Sequence, residues 1–219
     1  MEYGFITKYH CFMPIDFILY HLMGKIYKYI IIFFLVFPLM AQASEKPDIF
    51  LKRTIDEVTV FIDKNRAMLE SDESYLKEKV NEIIMPKFNI ILMAKIVLGK
   101  KNWMAATDVK KEEFQDIFKD LLIKTYMRSI LEYDGDKIIF LPFKPGKRPT
   151  VARVKSVYIM PGDDMPVDYR LKLNEKDEWK VFDVVFDGVS LLKNYRVDFQ
   201  EHIRNEGLDS LIAALKNKA

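Results

Sequence analysis

Cysteine and histidine are nearly absent from this sequence. Its 219 residues contain one cysteine, Cys11, and three histidines, of which only His202 lies beyond residue 43. Such a chain has neither the cysteines for a disulfide framework nor the usual ligands of a zinc site. We therefore expect a fold held by its hydrophobic core, with no metal and no cofactor.

An excess of either charge is also missing. The chain has 34 Lys and Arg against 32 Asp and Glu, and it contains no long block of one sign. Nucleic-acid binding needs a basic excess on one face, so the balance argues against nucleic acid as a partner. With 50% hydrophobic residues, the chain is also too apolar to be disordered.

The N-terminal segment has the layout of a secretory signal peptide. Lys25 and Lys28 precede the apolar run Tyr29–Ala41, which ends in Ala41-Gln42-Ala43. The run has thirteen residues, whereas a bilayer-spanning helix needs about 20. A positive region, a short apolar core and a small-x-small end predict cleavage after Ala43. An uncleaved anchor helix is the alternative interpretation.

Residues 1–22 contribute nothing to this signal, which is consistent with translation beginning at Met23. We therefore expect residues 1–43 to be an extension plus signal peptide and residues 44–219 to form a single domain. Cleavage after Ala43 would remove Cys11, and the remaining chain would be near neutral and free of cysteine, so we expect it in the periplasm.

Apolar periodicity predicts helices first and strands afterwards. The helices are expected at 47–69, 75–85, 87–98 and from Thr107 or Asp108 to about 133. Strands are expected at 137–143, 151–160, 167–173 and 179–186, followed by helices at about 190–207 and from 209. Gly99 is expected to end the third helix, which leaves Trp103 in a linker.

This order predicts an α+β fold. The helical N-terminal half would pack on a twisted, mainly antiparallel sheet of four to five strands, and helices would close the C-terminus. On the fourth strand, Phe182, Val184 and Phe186 are expected to face the core, opposite an outward-facing Asp183.

Catalytic and metal-binding motifs are hard to find in the sequence. Asp198 and His202 stand four residues apart and are expected to form a surface pair rather than a functional dyad. Gly188-Val189-Ser190 lacks the second glycine of a nucleophile elbow. Asp134 and Asp136 do not fit a calcium loop and are expected in a turn.

The predicted third and fourth helices and the inward strand faces carry many large apolar side chains. Periodicity alone favours a well-filled core as their explanation. The alternative is a curved sheet and helices that enclose an apolar cavity.

Several segments resemble the MlaC family of periplasmic phospholipid-binding proteins, which also carries a toluene-tolerance name. The most specific is Trp179-Lys-Val-Phe-Asp-Val-Val-Phe-Asp-Gly-Val-Ser-Leu-Leu-Lys-Asn-Tyr-Arg196, continuing through Phe199 and Gly207 to Leu211-Ile212-x-x-Leu215. Leu98-Gly99-x-x-x-Trp103, the helix with Phe114, Phe118 and Tyr126, and the strand Pro166-Val-Asp-Tyr-Arg-Leu171 agree with the family's middle section.

The resemblance implies a mixed α/β fold with a deep hydrophobic pocket. It implies a carrier, not an enzyme, that moves phospholipid between an outer-membrane lipoprotein complex and an inner-membrane ABC transporter complex. That pathway maintains the lipid asymmetry of the outer membrane. Arg196, which ends the family block, is expected to pair with a carboxylate and order the last helix.

We expect the pocket wall to consist of apolar and aromatic residues from two helices and three strands. They are Ile90, Met93, Val97, Phe118, Leu122, Tyr126, Val154, Tyr158, Tyr169, Leu171, Phe182 and Val184. Two other functions stay open at this point. One is an enzyme on a cone-shaped α+β fold acting on a hydrophobic small molecule, which needs an acid or base inside the pocket. The other is an envelope scaffold with a filled core.

Overall fold

The computed structural model of the protein describes residues 45–131, 137–160 and 162–218. Several predictions fall outside these residues. They are the signal peptide, the start of translation at Met23, the cleavage after Ala43 and the turn at 134–136. None of the described helices is long and apolar enough to cross a membrane.

The N-terminal part of the described chain is helical. Its helices are α1 (Pro47–Ser71), α2 (Glu73–Lys79), α3 (Ile90–Ala105) and α4 (Asp108–Leu131). The predicted helix 75–85 is not continuous, because α2 passes into a π-helical turn, Val80–Ile84, and then into a 3-10 turn, Met85–Lys87. Pro86 has no N–H to donate, so α-helical hydrogen bonding cannot continue through it.

Helix α3 differs from its prediction at both ends. It begins at Ile90 rather than at Lys87, because the Asn89 side chain caps it by accepting a hydrogen bond from the Leu92 N–H at 2.9 Å. Gly99 interrupts the helix with φ 70° and ψ 161°, and helical backbone resumes immediately and runs to Ala105.

Trp103 therefore lies on the helical segment that follows the break, and its predicted place in a linker is wrong. Its ring packs against the core, with Lys111 Nζ 5.8 Å from the ring centroid. The sequence shows that Gly99 breaks the helix, but it does not show that a new helical segment starts at once.

Five antiparallel strands form one meander. They are β1 (Ile138–Phe140), β2 (Val151–Tyr158), β3 (Met165–Leu173), β4 (Trp179–Phe186) and β5 (Val189–Ser190), and their order in the sheet is their order in the chain. Helices α5 (Leu191–Glu206) and α6 (Leu208–Lys216) follow. The predicted α+β fold is confirmed, although β1 is shorter than the expected 137–143.

A β-bulge changes the pattern of β4. Arg170 pairs with Asp183 while its neighbour Leu171 pairs with Val181, so Phe182 is the extra residue. The predicted alternation of β4 is therefore wrong. Asp183 is buried, and Phe182 packs against the cluster formed by α3, α4, α5 and α6, whereas Val184 belongs to the cluster formed with β2 and β3.

The buried apolar side chains form three clusters. The helix cluster joins α3, α4, α5 and α6 and contains the stacked rings of Phe114 and Phe118. The sheet cluster joins Phe50 and Leu51 at the start of α1 to strands β2, β3 and β4. The N-terminal cluster joins α1, α2, the π-helical turn and α4.

Candidate functional site

An apolar cavity of about 380 Å³ lies where the three clusters meet. The helix cluster contributes Met93 and Leu122 to its wall, and the sheet cluster contributes Leu51, Val181 and Val184. The N-terminal cluster contributes Val80, Met85, Ile123 and Met127. The volume falls within the range of roughly 300–1,000 Å³ that is usual for small-molecule sites.

The π-helical turn supplies one side of this wall. Val80 and Ile84 of this turn line the cavity, as does Met85 directly after it, and the N–H of Met85 bonds to the carbonyl of Val80, five residues back. A π-helical turn is wider than an α-helical one and is frequent at functional sites.

The structure places five of the twelve predicted pocket residues in the cavity wall. They are Met93, Leu122, Tyr126, Tyr169 and Val184. The other seven lie in or against the surrounding clusters. Val97 and Phe118 are buried in the helix cluster, where Phe182 and Ile90 also pack. Val154 and Leu171 are buried in the sheet cluster, and Tyr158 packs against that cluster.

Helix α1 and the segment before α3 also line the cavity, and none of their residues is among the twelve predicted. Leu51, Thr54, Ile55 and Val58 of α1 line the cavity. Ile55 and Val58 belong to the apolar stripe by which α1 is recognisable in the sequence. That periodicity indicates which face is buried, but it does not distinguish a cavity wall from a filled core.

The polar groups of the cavity wall are few. Burial raises the pKa of Tyr169 to about 12, against a smaller lowering effect of a hydrogen bond with Ser156. Burial, and after it a hydrogen bond with Tyr195, raises the pKa of Tyr126. Both phenols are therefore neutral at physiological pH, and the aromatic part of the wall adds no charge.

Asp183 is the buried acid that an enzyme hypothesis would look for, and it is not among the lining residues. Its Oδ2 accepts hydrogen bonds from Arg170 Nη1 at 2.8 Å and from Ser190 Oγ at 2.7 Å. Its Oδ1 accepts a bond from the Leu192 N–H at 3.1 Å. The carboxylate thus joins the sheet to the first turn of α5.

His202 has neighbours other than the predicted Asp198. Its Nε2 lies 3.0 Å from Ser210 Oγ and 3.6 Å from Glu206 Oε2. Within the described part of the chain, no group of three or more His, Cys, Asp or Glu residues could hold a metal ion.

Comparison with known proteins identifies the family. The sequence model of the MlaC protein family matches residues 52–217. The chain belongs to the MlaC family. The resemblance that was read from the Trp179–Arg196 block is thereby confirmed.

Two MlaC-family relatives match over most of their length. The toluene tolerance protein ttg2D of Pseudomonas putida is 29% identical over 175 residues, which cover 79% of this chain and 80% of that protein. The intermembrane phospholipid transport system binding protein MlaC of Haemophilus influenzae is 24% identical over 182 residues, covering 82% and 85%.

A solved structure shares the fold. It is the phospholipid-binding protein from Ralstonia solanacearum in complex with a phospholipid, with a TM-score of 0.69 and 24% identity. The match covers 79% of this chain and 96% of that one.

Proposed function

We propose that this protein is a periplasmic phospholipid carrier. In this proposal it moves lipid between an outer-membrane lipoprotein complex and an inner-membrane ABC transporter complex, and so helps to maintain outer-membrane lipid asymmetry. The observation that carries the proposal is the apolar cavity of about 380 Å³ in a chain of the MlaC family. The phospholipid named for two similar proteins supports it.

The physical chemistry of the cavity suits acyl chains. Each methylene that leaves water contributes roughly 0.8 kcal/mol, so acyl chains can be held without any polar contact. The wall is almost entirely apolar, which leaves the charged head group near an opening. Tight apolar binding also means that release needs a partner that deforms the cavity or competes for the lipid.

The chemistry of the wall supports binding rather than catalysis. Its polar side chains are the phenols of Tyr126 and Tyr169, the hydroxyls of Thr54 and Ser129, and the ammonium of Lys87. The buried carboxylate of Asp183 is occupied by three hydrogen bonds. We therefore propose that the protein is not an enzyme.

Mass spectrometry of organic extracts tests the proposal. Protein expressed with its N-terminal segment, purified and washed free of membranes should carry phospholipid close to one molecule per chain. A folded, stable protein without lipid would contradict a tight carrier and would favour the scaffold or enzyme hypothesis.

A further inference from the structure

Thr54 carries a buried hydroxyl without a partner. The residue lies on α1, is 8% exposed and is part of the cavity wall. Within the described part of the chain, its Oγ1 is buried and makes no hydrogen bond. A buried polar atom that has lost water and gained no partner destabilises the empty protein, so the position calls for an explanation.

A second threonine on the same helix shows the usual solution. Thr59 Oγ1 donates a hydrogen bond to the Ile55 carbonyl, four residues back, at 2.9 Å. Helical threonines commonly satisfy their hydroxyl in this way. Thr54 makes no such bond although it lies on the same helix, so it brings an unpartnered hydroxyl to the cavity wall.

The position of Thr54 indicates which part of a ligand it meets. Lys87 is the only charged residue among the described residues of the wall. Its Nζ lies 3.4 Å from Glu57 Oε2, and Glu57 follows Thr54 by three residues, about one helical turn. Thr54 and Lys87 both line the cavity, and the Lys87–Glu57 contact joins Lys87 to α1 about one turn from Thr54. We therefore expect a lipid phosphate beside Lys87, with Thr54 near it.

We propose that Thr54 Oγ1 donates a hydrogen bond to an ester carbonyl oxygen of the bound diacyl lipid. The inference rests on the proposed carrier function. In a diacyl lipid the ester carbonyls separate the phosphate from the acyl chains, so a phosphate beside Lys87 would bring an ester carbonyl towards Thr54. A water molecule is a poor alternative partner, because a buried water needs two to four polar contacts and this wall is apolar.

Binding of matched diester and diether phospholipids tests the inference. The two lipids have the same head group and chain length, but the diether lipid lacks the carbonyl oxygens. Lipid-stripped protein is titrated with each lipid, with displacement of a fluorescent fatty acid as the readout. We expect the wild type to bind the diester lipid roughly three- to tenfold more tightly, the effect of one neutral hydrogen bond.

Variants of Thr54 test whether the preference for the diester lipid comes from the Thr54 hydroxyl. Thr54→Val has the same shape and should bind both lipids equally, whereas Thr54→Ser keeps the hydroxyl and should retain the preference. Thr59→Val is the matched control and should behave as the wild type. Urea unfolding of empty Thr54→Val should show stability equal to or above that of the wild type, because an unpartnered hydroxyl has been removed.

The outcomes separate this inference from the carrier proposal. Wild-type protein that binds both lipids equally tightly would overturn the inference and leave the carrier function intact. So would a Thr54→Val protein that keeps the ester preference. Wild-type protein that binds neither lipid would overturn the carrier function and the inference together.

Discussion

At the scale of single residues, side chains of another helix form hydrogen bonds with backbone carbonyls just before the break at Gly99. Arg196 Nη1 of α5 donates a hydrogen bond to the Ile96 carbonyl at 3.2 Å, and Gln200 Nε2 donates to the Val97 carbonyl at 3.2 Å. These are carbonyls that a continuous helix would pair internally. The expected partner of Arg196 was a carboxylate, and the structure shows a backbone carbonyl instead.

Gly99→Ala should lower the free energy of unfolding by about 1–3 kcal/mol. The φ of 70° and ψ of 161° belong to a region that only glycine adopts readily, and an added Cβ would lie 3.2 Å from Arg196 Nη2. Urea unfolding measures the change. Gly146→Ala is the control, because a Cβ there meets nothing within 4 Å. Equal stability of the two variants would contradict the strain argument.

Asp183→Asn should destabilise the fold by about 1–3 kcal/mol. The substitution removes the charge from a carboxylate that is 2% exposed and bonded to Arg170, Ser190 and the Leu192 N–H. Thermal and urea unfolding measure the loss. Asp63→Asn removes an exposed partner of Arg66 and should change stability by less than about 1 kcal/mol. A harmless Asp183→Asn would show that the ion pair is dispensable.

At the scale of secondary structure elements, regular segments can be predicted from the sequence and irregular ones cannot. The helix predicted at 47–69 and the strand predicted at 167–173 follow from apolar periodicities of 3.6 and 2, and the structure has α1 and β3 there. The bulge at Phe182 and the π-helical turn Val80–Ile84 each shift one residue out of a regular pattern. Both irregularities depend on tertiary packing. The apolar period of the sequence therefore gave the wrong face for Asp183 and did not indicate that Val80 lines the cavity.

Two tryptophan substitutions should distinguish a residue of the cavity wall from a residue of the filled core. Leu122 lines the cavity, so Leu122→Trp should fill it, reduce co-purifying phospholipid severalfold and leave a folded protein. Leu171 is fully buried in the sheet cluster and does not line the cavity, so Leu171→Trp should lower stability by roughly 1–3 kcal/mol through overpacking. Lipid extraction and circular dichroism measure both effects. Full lipid loading of Leu122→Trp would contradict the proposed site.

At the scale of the whole molecule, the cavity results from the meeting of three clusters. Each cluster is well packed, and the space is left where their edges face one another. The sequence indicates an apolar surplus, and five of the twelve predicted wall residues do line the cavity. The other seven pack in or against the clusters. Periodicity indicates which residues face the core, but how far each lies from the cavity depends on how the helices pack.

Lipid loading should raise the melting temperature of the protein. A ligand that binds only the folded state stabilises it by mass action, by about 2.7 kcal/mol at a lipid concentration one hundred times the Kd. For a domain of this size, that corresponds to a rise of about 5–10 °C. Differential scanning fluorimetry of stripped and reloaded protein measures it. Leu122→Trp should show no rise, and an unchanged wild type would argue against a tight lipid site.

The cavity also determines how the protein should respond to hydrostatic pressure. A folded chain that encloses a void occupies more volume than the same chain unfolded in water, because unfolding eliminates the void. We therefore expect the empty form, with its apolar space of about 380 Å³, to unfold at a lower pressure than the lipid-bound form. Acyl chains in that space remove the volume difference. If the protein is the carrier proposed above, the bound lipid would act as part of its hydrophobic core, and release of the lipid would leave the protein more easily unfolded by pressure until it binds lipid again.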